Sequence, residues 1–512
     1  MPKMNKKKMS TRGTYDVVVI GGGPAGSALG ILLSRRGYSV LILEREKFPR
    51  FHVGESLIPS TQAIFERLGI AEALQHQGHT FKYAGEFRIG RNPASSTFES
   101  TISRFNNTPR SHRMERPFAY HVVRSEFDDF LLKEARRRGA DVVEEARVRE
   151  VLWDGDRATG VRWTGPEGEE HTTSASMVAD CSGRHALISR SLKLLQADKR
   201  IQTSSVFCHY KHVKRDPGSA QGYFNGYFFE NGWMWFIPLK NDVMSVGVVV
   251  NRPGTDWWGR KKPEEILHTY INRYRFLRDR FEHAEQYSKA RILRGLPYRS
   301  SKCVGDGWIL VGDSNFFVDP LYSSGIEVTF HSAEKAFEAI DGFLSSRRMM
   351  APLNAYQRWA KVYSAHIFMH MSLIYRLLRY RKAIEIPVKL TGRLGNNWET
   401  WFLRRVNTFS IGYFEDFHPF LYAVWPHMYL LSQACRVLTK LKGEAPWESD
   451  KIFCSLPPLE IPKAEGFPNE PESTRRKHAL QDDVRPSMGS GAWILPLDNV
   501  DDVGRNGRPL MQ

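Results

Sequence analysis

The sequence predicts an α/β fold: a Rossmann-like domain, an antiparallel sheet inserted into it, and a helical C-terminal region. Three stretches carry that prediction. In "VVVIGGGPAGSALG" a short β-branched run meets a glycine-rich turn and then a helical pattern. Further on, Asn231-Gly232 separates two strand-like runs, the strongest short-range signal for a hairpin. From about Pro352 to Lys442, aromatic residues recur with helical spacing.

Val17 to Ile20 reads as a buried strand, and a helix from about Ala25 to Arg36 is stopped by Gly37. "YSVLILE" is the next strand and completes a βαβ unit. Helical patterns return at Pro59 to His76 and at Ser125 to Arg138, the latter followed by the strand-like "ADVVEE". Between Ser204 and Val250, "YFNGYFFE", "WMWFIPL" and "VMSVGVVV" read as an antiparallel meander, with Asn241-Asp242 in its second turn. Helix resumes from Phe316. The expected division is a basic arm over 1–13 and a nucleotide-binding domain over 14–345, with the sheet inserted at about 80–120 and 200–300. A helical region follows over 346–454, and then an extended or disordered tail over 455–512, where prolines and charges replace periodicity.

Length and composition narrow the classes of function. The 512 residues are 41% hydrophobic and 12% aromatic, enough for substantial cores. Five scattered cysteines with no CxxC spacing argue against a disulfide framework or a zinc site, and no metal is expected. A reducing cytoplasm fits them. The basic N-terminus lacks an apolar run behind it, and "FLYAVWPHMYLLSQA" is too short and too polar to span a bilayer. A net charge of +17 would suit nucleic acid, a membrane surface or an acidic protein. No nucleic-acid motif accompanies it, so an acidic carrier protein is the partner of most interest.

Gly21, Gly23 and Gly26 form G-x-G-x-x-G between a strand and a helix. The first allows the tight turn, the second lets backbone approach a pyrophosphate, and the third lets helix and strand pack closely. With Ala25 they open a helix whose N-terminal donors suit phosphate. Glu44, followed by Arg45, ends the second strand where an acid can accept ribose hydroxyls. The motif alone leaves FAD and NAD open.

"WILVGDSNFFVDP" resembles the Gly-Asp element of FAD-containing aromatic hydroxylases and their relatives, which implies that Gly312 and Asp313 bind the ribityl side of FAD. "VVRSEFDDFLL" is similar to their segment in which an arginine, here Arg124, contacts the flavin, and "VADCSGR" resembles another of their elements. The resemblance covers residues 15 to about 340 and implies an FAD-binding fold of the hydroxylase type. Within that group, "WMWFIP" matches the W-x-W-x-I-P signature of flavin-dependent halogenases, and "FVDPLYSSG" matches their F-x-x-P-x-x-S-x-G element. "FPRFHVGESLIPS", with Glu55 and Ser56, resembles the Val-Gly-Glu-Ser segment of the phenol and pyrrole halogenases.

"GHTFKYAGEFRIG" alternates Phe81, Tyr83, Phe87 and Ile89 with Lys82, Ala84, Glu86 and Arg88, a strand of period 2. Pattern alone puts Lys82 in solvent with its polar neighbours. The resemblance reverses that, because phenol-type halogenases place an essential lysine in a similar F-x-x-K-x-G context. Here His79 stands for the leading phenylalanine, and Ala84 separates Tyr83 from Gly85.

The resemblance implies reduced FAD from a separate flavin reductase, chloride or bromide as co-substrate, and hypohalous acid as the halogenating species. It assigns the halide to Ser324 and Gly325, with Pro320, Gly325 and Ile326 beside the flavin. Lys82 would hydrogen-bond the hypohalous acid or carry the halogen as an amine. Trp233 and Trp235, with Ile237 and Pro238, would keep substrate off the flavin, Met234 and Phe236 lying on the opposite strand face. Tyr322 stands where tryptophan halogenases have a catalytic glutamate, and Glu327 is read as structural. An electron-rich phenol or pyrrole is therefore the expected substrate, free or tethered to an acyl or peptidyl carrier protein. The rivals are an FAD monooxygenase using NAD(P)H, a geranylgeranyl-reductase-like flavoprotein, and a non-catalytic binding module.

Overall fold

The computed structural model describes residues 13–89, 99–104, 118–198, 201–229, 231–252, 254–379 and 459–464, with isolated positions between 426 and 437. The basic arm, most of the helical region beyond 379 and most of the tail lie outside the described residues.

Strand Thr14–Ile20 pairs in parallel with Val40–Leu43 on one side and Glu170–Asp180 on the other. Asp141–Val143 and Trp308–Leu310 extend that parallel sheet outward. Val17, Val18 and Val19 are all 0% exposed, because helices cover both faces of a parallel sheet and leave no solvated side. Helix Pro24–Arg36 packs against helices Arg124–Arg137 and Gly325–Ser345. The predicted βαβ unit is therefore present.

The second sheet runs Glu285–Gln286, Thr203–Lys211, Val243–Asn251, Gly232–Pro238, Phe224–Phe229, Ala84–Ile89, Glu99–Arg104. Its pairs are antiparallel except one: Phe224–Phe229 runs parallel to Ala84–Ile89, with Phe224 beside Gly85 and Phe228 beside Ile89. Strand alternation divides Gly232–Pro238 between two cores. Trp233, Trp235 and Ile237 join a cluster with Leu321, Val328, Phe368 and Tyr375. Met234 and Phe236 face the helices Pro263–Arg273 and Arg275–Arg280. Asn241 and Asp242 both take φ near +57, as the tight turn there needs.

Several boundaries differ from the sequence reading. Gly232 belongs to the strand rather than the turn, because it pairs with Phe229 and a Cβ there would lie 2.0 Å from the Val249 carbonyl oxygen. The helical run at 59–76 is broken into Thr61–Leu68 and Ala71–Gln75, where Gly69 turns left-handed at φ +65. Phe316 does not begin a helix. Phe316–Phe317 is a short strand, Pro320–Tyr322 is a 3-10 turn, and the helix starts at Gly325. The run at 81–89 is two strands in different sheets: Thr80–Lys82 pairs with Ala119–His121, and Ala84–Ile89 joins the large sheet. Lys82, Ala84 and Glu86 are buried and Tyr83 is exposed, so it is the face expected in solvent that the two sheets cover. At the far end, Pro462 and Ala464 bracket Gln286 by backbone hydrogen bonds, so residues 459–464 lie along the sheet edge. Among the described residues no helix is long and apolar enough to cross a membrane.

Candidate active site

The glycine turn is shaped by backbone crowding. A Cβ at Gly26 would lie 1.9 Å from the Gly21 carbonyl oxygen, and one at Gly21 would lie 2.6 Å from that of Cys181. Gly23, the N-cap of helix Pro24–Arg36, has the opposite surroundings: its Cβ would meet only the Arg50 guanidinium, at 3.5 Å. Backbone donors at that helix start therefore face open space beside a cation. Glu44 is buried and accepts the Gly22 N–H at 2.8 Å and the Glu46 N–H at 2.9 Å, and each oxygen keeps a further lone pair. Beside it, burial lowers the Arg45 pKa, and Arg45 adds to the burial that pulls His185 down to about 4.

Gly312 and Asp313 close the cradle from the other side. Gly312 adopts φ +65, its N–H donates to Ser332 at 2.9 Å, and a Cβ there would sit 3.5 Å from that of Ala25. Burial pushes Asp313 up to about 6 against the pull of Arg184 and Arg124. A half-buried acid beside this glycine turn fits the hydroxyl-bearing chain of FAD. Together with the clear space at Gly23, the residues present fit FAD.

Arg124 does not reach freely into this cradle. Its guanidinium clamps Asp128 at 2.7 and 2.9 Å and donates to the carbonyls of Val53 and Gly54 at 2.5 and 3.2 Å. Arg50 joins the same carboxylate at 2.9 Å, and these two arginines hold Asp128 below its usual pKa against its burial. The arginine thus fixes the loop that carries Glu55 and Ser56. Glu55 is 2% exposed and pairs with the His209 Nε2 at 2.7 Å.

Lys82 lies at the end of that loop's reach. It is 3% exposed and donates to Ser56 Oγ at 3.0 Å and to the Leu57 carbonyl at 2.8 Å. Its Nζ lies 5.4 Å from the centre of the Phe224 ring. Burial pulls its pKa down to about 7. His121, on the paired strand opposite Thr80, is held well below its usual pKa by burial and by the Lys82 charge, and its Nε2 donates to the Gly222 carbonyl at 3.1 Å.

The loop that the sequence assigns to the halide is a staircase of short conformations. The Asp319 side chain accepts the Leu321 N–H at 3.0 Å, Pro320 starts the 3-10 turn, and Ser323 sits at φ +57. Ser324, 4% exposed, then caps helix Gly325–Ser345, with Ile326 in its first turn. A Cβ at Gly325 would meet nothing within 4 Å, so this helix start also opens on free space. Glu327 is buried in the first turn and accepts the Tyr363 hydroxyl at 3.0 Å. The Tyr322 side chain lies outside the described residues.

The two tryptophans have different attachments. Trp235 donates to Ser245 Oγ at 3.1 Å, and its indole covers Gly247 so closely that a Cβ there would lie 2.2 Å from the ring. It is tied to its own sheet. Trp233 donates instead to the Tyr375 hydroxyl at 3.0 Å, and Tyr375 donates to Asp319 at 2.9 Å. Ile237 and Pro238 continue the buried strand.

Sequence reasoning missed Asp128, the Glu55–His209 pair and the Tyr375–Asp319 contact. The i,i+4 spacing of Arg124 and Asp128 was a readable signal. Tyr375 left none, since 56 residues separate it from Asp319.

Residues 14–361 match the family described as FAD binding domain. The chain is 30% identical over 360 residues to the 1H-pyrrole-2-carbonyl-[peptidyl-carrier protein] brominase of Pseudoalteromonas luteoviolacea, covering 69% of this chain and 83% of that protein. It is 30% identical over 362 residues to the tryptophan 2-halogenase of Chondromyces crocatus, covering 70% and 66%. Among solved structures, the myxobacterial chondrochloren halogenase CndH aligns with a TM-score of 0.66 and 29% identity, over 78% of this chain and 98% of that one. Matched by sequence over most of one halogenase and by fold over nearly all of another, the chain belongs to the flavin-dependent halogenases, which are FAD-dependent oxidoreductases.

Proposed function

We propose that this halogenase passes the halogen through Lys82 to a phenolic or pyrrolic ring held away from the flavin. The observation that carries the reading is the state of Lys82: buried, hydrogen-bonded to Ser56 and Leu57, and pulled down to about 7. Reduced FAD, when bound, supplies with oxygen the oxidising equivalent that turns chloride or bromide into hypohalous acid. The chain's own groups do the rest. Ser324 and Gly325 hold the halide at a helix N-terminus, where backbone donors and the helix dipole favour an anion.

Trp233, Trp235, Ile237 and Pro238 form a buried wall that excludes the aromatic substrate from the flavin while a small molecule passes. The neutral Lys82 amine keeps two N–H groups for Ser56 and Leu57 and turns its lone pair to the hypohalous acid. The Nζ lone pair takes the halogen as the oxygen–halogen bond breaks, the hydroxide released removes one Nζ proton as water, and the ring then takes the halogen while its proton returns to Nζ. A phenol or pyrrole is reactive enough for this without the glutamate that Tyr322 replaces.

The brominase relative acts on a pyrrole carried by a peptidyl carrier protein, and the +17 charge of this chain favours an acidic carrier in the same role. The glycine-rich dinucleotide motif is taken by FAD, so NADH oxidation is assigned to a separate reductase. The buried free cysteines Cys181, Cys208 and Cys303 suit a reducing cytoplasm.

The test combines protein, FAD, a flavin reductase, NADH, bromide and two substrate sets, free phenols and carrier-bound pyrroles. Brominated product by mass spectrometry is expected, and Lys82→Ala is expected to lose it while flavin oxidation continues. Halogenation by that variant at the normal rate removes Lys82 from the mechanism.

A further inference from the structure

Ser323 holds a left-handed backbone at φ +57 immediately before the halide-binding helix start. A non-glycine residue keeps that conformation only where its surroundings impose it. The surroundings here are an Asx-turn at one end of the loop and the helix at the other. Asp319 extends at φ −163 ahead of Pro320, and its Oδ1 accepts the Leu321 N–H at 3.0 Å. Its Oδ2 accepts the Tyr375 hydroxyl at 2.9 Å, and that hydroxyl accepts the Trp233 indole N–H at 3.0 Å. Asp319, Tyr375 and Trp233 are 4%, 7% and 1% exposed, so water does not compete for these bonds. Three separate pieces of chain, the halide loop, helix Ala351–Arg379 and the Trp233 strand, meet at one carboxyl.

We propose that Asp319 is a positioning residue for the halide: through Leu321 and Tyr375 it sets the turn that delivers Ser324 and Gly325, and it ties that turn to the Trp233 wall. The inference rests on the proposed placement of the halide at Ser324 and Gly325. Asp319 touches neither halide nor substrate in this scheme. Its role is to keep the donor groups aimed and the wall in register with them, so that halide site and barrier move as one unit. This tie distinguishes Trp233 from Trp235, whose indole donates to Ser245 within its own sheet.

The experiment measures the KM for bromide and the turnover number separately, with Asp319→Ala, Asp319→Asn and Tyr375→Phe in the full chain with FAD and reductase. Asp319→Ala is expected to raise the bromide KM by about tenfold or more, with a smaller change in turnover at saturating bromide. Asn keeps an oxygen for the Leu321 N–H, so Asp319→Asn is expected to recover most of that loss. Tyr375→Phe keeps the turn but cuts the tie, and a rise of about threefold is expected. The aromatic substrate KM and FAD affinity stay unchanged, which a general loss of fold would not allow. If Asp319→Ala has the wild-type bromide KM, or if Asn is no better than Ala, the proposal is overturned. Wild-type enzyme that makes no halogenated product overturns the proposed function instead, so the two failures are distinct.

Discussion

Around the glycine turn the site is shaped by backbone; around Lys82 it is shaped by side chains from distant segments. A single Cβ at Gly26 would strike a carbonyl at 1.9 Å, and no rotamer relieves that contact. Lys82 is placed by the Ser56–Leu57 loop, Ala119 across the strand and Phe224 from the other sheet, and the loop itself is clamped by Arg124 and Asp128. Both regions bury charge, but to different ends. Glu44 is met by backbone N–H donors from Gly22 and Glu46. Lys82 donates to the Ser56 hydroxyl and the Leu57 carbonyl, and burial drives it toward the neutral amine. Backbone N–H groups fix Glu44 in place, while burial lowers the pKa of Lys82.

That contrast can be broken at each side. The largest effect is expected from Lys82→Ala, which should cut halogenated product by about a thousandfold while FAD affinity, read by flavin fluorescence, stays put. Next, Trp235→Ala should cost about 3–5 kcal/mol in urea unfolding, because a fully packed indole leaves a cavity over Gly247. Trp233→Phe should cost about 1 kcal/mol and be felt in bromide dependence instead, since it mainly loses the bond to Tyr375. Gly26→Ala should weaken FAD binding by about tenfold, with little change in the bromide KM of the enzyme that remains loaded.

A further effect concerns pH. Lys82 has a folded pKa near 7 against 10.5 for an ordinary lysine, so between those values the unfolded chain binds more protons. Stability from this group therefore rises with pH across that window, and the burial penalty is full below about pH 7. Lys82→Met is expected to be more stable than wild type near pH 6, with the gap shrinking by about 2 kcal/mol toward pH 9. A gap that does not change with pH would mean that Lys82 is charged in the folded protein.

The two regions also differ in how much of them could be read from the sequence. Gly21, Gly23 and Gly26 announce their geometry because the constraint is local: adjacent residues set the turn, and its consequence lies within a few positions. The alternation of Trp233, Trp235 and Ile237 against Met234 and Phe236 was equally local and holds in the two cores. Lys82 was not legible by pattern. Its run reads as one half-solvated strand, and the switch between sheets at Tyr83 depends on pairing with Ala119–His121, far along the chain. Resemblance to the halogenases, rather than periodicity, singled it out. The start of the last FAD-side helix was misplaced at Phe316 because the turn at Asp319-Pro320 and the left-handed Ser323 carry no periodic signal. The same holds for Trp233, whose strand face was predictable but whose bond to Tyr375 was not.

The central claim is that burial makes Lys82 a neutral amine at working pH. It is tested most directly by titrating the Lys82 side-chain nitrogen by NMR in FAD-loaded protein, using lysine labelled at Nζ and Lys82→Met to assign the signal. A midpoint near 7 is expected. A midpoint near the ordinary 10.5 would contradict the account, because the lysine would then be an ammonium ion with no lone pair to receive the halogen.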